Sequence, residues 1–239
     1  SESSLVISAT HNAAGYTAHL DRALVINLSN QDLVEGQINV DKGTSCHLTD
    51  HFDCAIPTLK VHGRLGARFD YVLEVTDTHL SNSDLAGSAQ GTAHVTVTEA
   101  TQSVLQATMA FTLMDSVLLA TSQSTRAFGV PLRDVVVREN FVKGVGEAQA
   151  VFDTSLLGLA KLPQLTAVDS LQIHQGTVTG KTQVNWDSHS SIPAITNVAS
   201  TISLKNAAFN YDDYGVFGLF LDLQLAGWPP DNLLATSPT

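Results

Sequence analysis

Val104-Leu105-Gln106-Ala107-Thr108-Met109-Ala110-Phe111-Thr112-Leu113 decides the fold class of this chain. In an extended strand, successive side chains point to opposite faces. Leu105, Ala107, Met109, Phe111 and Leu113 therefore share one face, and Gln106, Thr108 and Thr112 share the other. Helical spacing would scatter these apolar residues round a cylinder, so the stretch reads as a strand with one dry and one wet side.

The same alternation recurs along the chain. Leu24, Ile26 and Leu28 fall together, as do Phe69, Tyr71, Leu73 and Val75, and again Ala93, Val95 and Val97. Near the C-terminus Phe217, Leu219, Leu221, Leu223 and Leu225 make an unbroken apolar row backed by Asp222 and Gln224. Gly43, Asn82-Ser83-Asp84, Gly129-Val130-Pro131 and Asp212-Asp213-Tyr214-Gly215 separate the runs as turns. Parallel folds would need a helical pattern between strands. Thr154–Ser170 is the single candidate: Leu156, Leu157, Leu159, Leu162 and Leu165 are loosely helical, and Pro163 cuts them to a short helix or two turns that could cap one end of the sheet.

Paired glycines recur within the strand pattern, at Gly63/Gly66, Gly87/Gly91, Gly144/Gly146 and Gly176/Gly180, and predict bulges or bends. The expectation is an all-β fold: a long, strongly twisted antiparallel sheet curled into a taco-like groove, with one short helix. One domain is expected over residues 1–228, with a C-terminal tail over 229–239.

Composition narrows the functional classes. Of 239 residues, 44% are hydrophobic and 15% charged, which favours a folded chain over a disordered one. The formal net charge of −11 and the lack of any basic run disfavour nucleic acid and anionic membrane surfaces as electrostatic partners. No apolar run reaches the roughly 20 residues of a membrane-spanning helix. The chain opens Ser1-Glu2-Ser3-Ser4, with neither an initiator Met nor a signal peptide. It reads as a mature or excised piece whose membrane anchor, if it has one, lies elsewhere.

Cys46-His47-Leu48-Thr49-Asp50-His51-Phe52-Asp53-Cys54 is the sharpest local cluster. A disulfide closing a small loop suits an oxidising compartment. Zinc would need four ligands from one short loop, where structural sites draw on two separated pairs. Free thiols are the third reading. No Gly-x-Ser-x-Gly elbow, calcium loop or phosphate loop is present, so no catalytic residue, metal or cofactor is assigned and the chain is read as non-enzymatic.

The order Leu171–Trp186, containing Gly176-Thr177-Val178-Thr179-Gly180 and closing on Trp186, then Ala207-Ala208-Phe209-Asn210-Tyr211, then Gly215-Val216-Phe217-Gly218-Leu219, resembles the YdbH-like proteins of the AsmA-like group. The likeness covers about residues 140–228. It implies a segment of a Gram-negative envelope protein, periplasmic and part of an inner-membrane-anchored chain. In such a chain an apolar β-groove shelters phospholipid acyl chains on their way between the inner and outer membranes, with envelope proteins at either membrane as further partners. The implied groove residues are Leu105, Met109, Phe111, Leu113, Phe217, Leu219, Leu221, Leu223 and Leu225. An older dicarboxylate-transport label for the family finds no support, because Lys and Arg together total 12 and form no cluster.

Two other readings stay open. The apolar rows also suit the inner faces of a closed β-sandwich, a structural or adhesive module without lipid cargo, because the alternation is identical in both. A hydrolase would bring Ser, His and an acid into one cleft without any sequence signature.

Overall fold

A computed structural model describes residues 7–12, 15–30, 34–49, 51–65, 68–83, 86–159, 170–189, 194–227 and 232–236. Among them the fold is all-β and antiparallel, with one short helix, as expected. The strand order does not return on itself to close a barrel. Contacts divide the chain into two compact units, Ser1–Gln123 and Ser124–Thr239.

The first unit holds β1 (Ile7–Asn12), β2 (Gly15–Leu20), β3 (Leu24–Asn30), β4 (Val34–Val40), β5 (Ser45–Leu48), β6 (Phe52–Leu65), β7 (Phe69–Ser83), β8 (Ala86–Glu99) and β9 (Gln102–Met114). β6 pairs along its length with β7, and β7, β8 and β9 follow as neighbours. The other edge of β6 is shared. Its first residues pair with β5, and Leu59–Gly63 pair with β4. Pro57 sits between these contacts and, lacking an N–H, interrupts the β6–β7 ladder between the Ile56–Thr78 and Thr58–Thr76 pairs. β5 leads on to β2 and β1, and β4 to β3.

Asp77 faces Pro57 across the β6–β7 ladder and has φ 53°. Between the Val75–Ala93 and Leu80–Ala89 pairs, β7 holds one residue more than β8. This bulge keeps Val75 and Leu80 on the same face, which strict alternation would forbid. Asp is among the few side chains that tolerate the left-handed conformation.

β10 (Val117–Ala127) runs across the division between the units. The second unit continues with β11 (Val130–Asn140), β12 (Val145–Ser155), α1 (Leu156–Leu159), β13 (Leu171–Asp187), β14 (Ala194–Tyr211), β15 (Tyr214–Ala226) and β16 (Asn232–Thr236). Consecutive strands from β11 to β16 pair antiparallel, and β16 adds to β15 within the stretch expected as tail. The helix is one turn. Leu156 reaches Gly176 on β13, where a Cβ would lie 2.5 Å from Leu156 Cδ1 and 2.9 Å from the Cα of Ala207. Leu162, Pro163 and Leu165 of the expected helix lie outside the described residues.

Register shifts accompany Asp134 (φ 51°), Asn206 (φ 50°) and Gly218 (φ 66°). Several of the paired glycines serve a different purpose. Gly91 lies opposite Phe111, Gly180 opposite Phe152, and Gly146 opposite Trp186. At each, an added Cβ would press on the ring across the ladder. Each glycine gives the aromatic ring room to lie flat over the neighbouring backbone.

Candidate functional site

Register turns the apolar faces of single strands into rows that cross many strands. In the first unit Ile26, Ile38, Val61, Leu73, Val95 and Ala107 are successive ladder partners. Leu24, Val40, Leu59, Val75, Ala93 and Met109 form the next row. A further row runs from Ala9 through Ala18, Cys46, Cys54, Leu80 and Ala89 to Leu113. The expected residues Leu105, Met109, Phe111 and Leu113 all lie on this one face. Six strands at about 4.8 Å spacing make a row roughly 24 Å long.

Burial along this face is uneven: Cys54, Val75, Ala107 and Met109 are buried, while Ile26 is exposed. Among the described residues no large side chain is fully buried. Met109 is 8% exposed near the middle, and Ile26 at the edge is 41% exposed. A closed sandwich would leave its inner residues in contact on all sides.

The second unit repeats the pattern. Leu132, Phe152, Gly180, Ile202 and Leu223 form one row. Val178, Leu204 and Leu221 form the next, and Leu225 follows beside Ser200 and Thr182. The buried Ser200 hydroxyl donates to Thr182 Oγ1 at 2.9 Å, so this polar interruption is satisfied. Leu219, Leu221, Leu223 and Leu225 share the face as expected.

Phe217 departs from the row. Ala207 pairs with Leu219 while Phe209 pairs with Val216, so β15 carries an extra residue at Gly218. Val216 takes the place expected of Phe217, whose ring lies over Gly215 and is 75% exposed. Sequence reasoning also overlooked Ile38, Val40, Phe152 and Ile202. Leu59, Val61 and Gly63 in β6 carry the same alternating signal.

The opposite faces are polar and stitched by directly opposed pairs. Lys60 Nζ lies 3.1 Å from Glu74, Arg64 Nε 3.1 Å from Asp70, and His94 Nδ1 3.0 Å from Thr108 Oγ1. A concavity of about 520 Å³ on the first unit is lined mainly by this polar side, including Asn27, Gln37, His62, Arg64 and Asp70.

Cys46 and Cys54 are ladder partners and are joined in a disulfide, with Cα atoms 4.1 Å apart. Neither sulfur is then a thiolate, the form in which cysteine holds zinc. At the end of the second unit, buried Glu139 (6% exposed) accepts from Trp186 Nε1 at 2.6 Å and from the Ser188 hydroxyl. Asp187 accepts from the backbone N–H of His189 at 2.8 Å, and the His189 ring nitrogen is equally close. These bonds hold the Asp187 carboxyl below its ordinary value, the backbone bond most of all. Ser188 and His189 thus engage different carboxylates, and no Ser–His hydrogen bond forms among them. Among the described residues no group of three or more His, Cys, Asp and Glu is placed to hold a metal. Nor is any helix long and apolar enough to cross a membrane.

No family model matches the chain, and no curated protein or solved structure matches it.

Proposed function

We propose that the chain is a non-enzymatic segment of a Gram-negative envelope protein that shelters phospholipid acyl chains on its apolar β faces during transport between inner and outer membranes. The observation that carries this reading is the set of apolar rows that cross up to seven strands and stay partly open. Their incomplete cover favours it over a closed sandwich module. A row of roughly 24 Å exceeds the ~15 Å depth of one bilayer leaflet, so one acyl chain fits along it. A buried methylene is worth about 0.8 kcal/mol, so half-covering a dozen contributes on the order of 5 kcal/mol. The disulfide supports an oxidising compartment such as the periplasm.

The test is lipid mass spectrometry on the chain purified under native conditions from an envelope extract. Phospholipid should co-purify with the parent and fall in Ile26→Asp and Leu221→Asp, which charge the face of one unit each. A lipid-free parent with its fold intact would overturn the reading.

A further inference from the structure

We infer that the β11–β12 hairpin tip, Phe141-Val142-Lys143-Gly144, docks the second unit on a phospholipid bilayer by inserting Phe141 and Val142 below the headgroups. The inference deepens the acyl-chain reading by naming the place where lipid is exchanged, and it rests on that reading for its purpose.

Hairpin turns usually carry Gly, Asn, Asp or Ser. This one presents Phe141 at 58% and Val142 at 77% exposure. Its base is nonetheless well anchored. Asn140 Oδ1 accepts the Lys143 N–H at 2.9 Å, and the Gly144 carbonyl accepts the Ser188 N–H at 2.8 Å. Beneath it sits the Glu139–Trp186–Ser188 cluster. A tip with its backbone groups engaged enters lipid at less cost than an open loop.

Charge fits the same partner. The nearby carboxylates are occupied: Glu139 by Trp186 and Ser188, Asp187 by His189, and Glu147 by Arg138 at 3.7 Å. Lys143 is exposed and makes no ion pair among the described residues, which leaves a cation at the depth of a headgroup phosphate. The hairpin at the other end of β13 differs. Tyr211 and Tyr214 are exposed there too, but Asp212 and Asp213 stand between them and would meet phosphate oxygens.

Shape decides against a protein partner. Two apolar side chains on a convex turn fall far short of the roughly 800 Å² per partner of a specific protein interface. A bilayer needs no complementary pocket. The row at the base of the tip, Glu139, Gly146, Trp186 and Ile195, lies on the same face as the apolar rows of the second unit, with the Glu139 carboxylate held by Trp186 and Ser188.

Flotation of the full chain with phosphatidylcholine vesicles, with and without phosphatidylglycerol, tests the inference. The parent should float with both. Phe141→Ser/Val142→Ser should lose about a hundredfold in partitioning, the scale of two apolar side chains at roughly 1.5 kcal/mol each. Tyr214→Ser should float as the parent does, and thermal melts should show all three folded. Equal flotation of the double variant and parent would overturn the inference. So would a parent that does not float but self-associates through Phe141 and Val142, which would make the tip a contact between copies. Lipid mass spectrometry on the same samples separates the two readings. Co-purifying lipid without flotation removes the docking tip alone, and flotation without co-purifying lipid removes the carrier reading alone.

Discussion

At the residue scale, the glycine–aromatic pairs are the sharpest test of the packing. A Cβ at Gly180 would meet the Phe152 ring and lie 2.8 Å from the Thr201 carbonyl oxygen. Gly180→Ala should therefore cost about 1–3 kcal/mol, read by urea denaturation. Gly87→Ala meets nothing within 4 Å and should be neutral or slightly stabilising. The Thr78 hydroxyl is buried without a hydrogen-bond partner among the described residues. Thr78→Val keeps the shape and removes an orphaned polar group, so it should raise stability by about 1 kcal/mol. Asp187 sets a pH dependence. Its folded pKa is lowered, so its contribution is complete above the ordinary 3.8 and is lost as pH falls through the lowered folded value. NMR of the His189 amide should show the turn loosening in that acid window, and Asp187→Asn should abolish the transition.

At the element scale, the disulfide ties β5 to β6 where β6 shares its edge between two hairpins. The cysteines are eight apart in sequence, and closing so short a loop restricts the unfolded chain by about 2–3 kcal/mol. Cys46→Ser/Cys54→Ser should lower stability by that amount. Hydrogen exchange should place the loss in β1, β2 and β5 and leave β11–β15 unchanged. The cysteine pairing was legible because two cysteines eight apart in one short polar stretch are readily brought together. The bulges were legible only in part. Glycine is the usual signal for positive φ, yet Asp77, Asp134 and Asn206 adopt it within the sheet, and each resembles any other polar residue on a wet face.

At the scale of the whole molecule, the chain combines 44% hydrophobic residues with apolar rows in which, among the described residues, no large side chain is fully buried. A native state of this kind should bind a dye such as ANS at neutral pH while keeping a cooperative melt and full near-UV circular dichroism. A molten state would bind the dye but lose the near-UV signal. Adding long-chain phospholipid should displace the dye. Failure of the folded chain to bind it would mean that the rows are too well covered to receive an acyl chain.

Alternation, together with the lack of helical patterns between the runs, pointed to antiparallel β-sheet with one dry face. Eight of the nine apolar residues offered for the groove do share the dry face of their strands. Phe217 escaped because a single left-handed residue at Gly218 reverses the faces, and nothing local distinguishes that glycine from one that merely makes room for a ring. How far a dry-face residue such as Met109 is buried depends on what packs against it. The same holds for the glycine–aromatic pairs and for the burial of Glu139 against Trp186, residues 47 apart in sequence. Those outcomes belong to register and layering, which join residues far apart along the chain, and only the tertiary structure decided them.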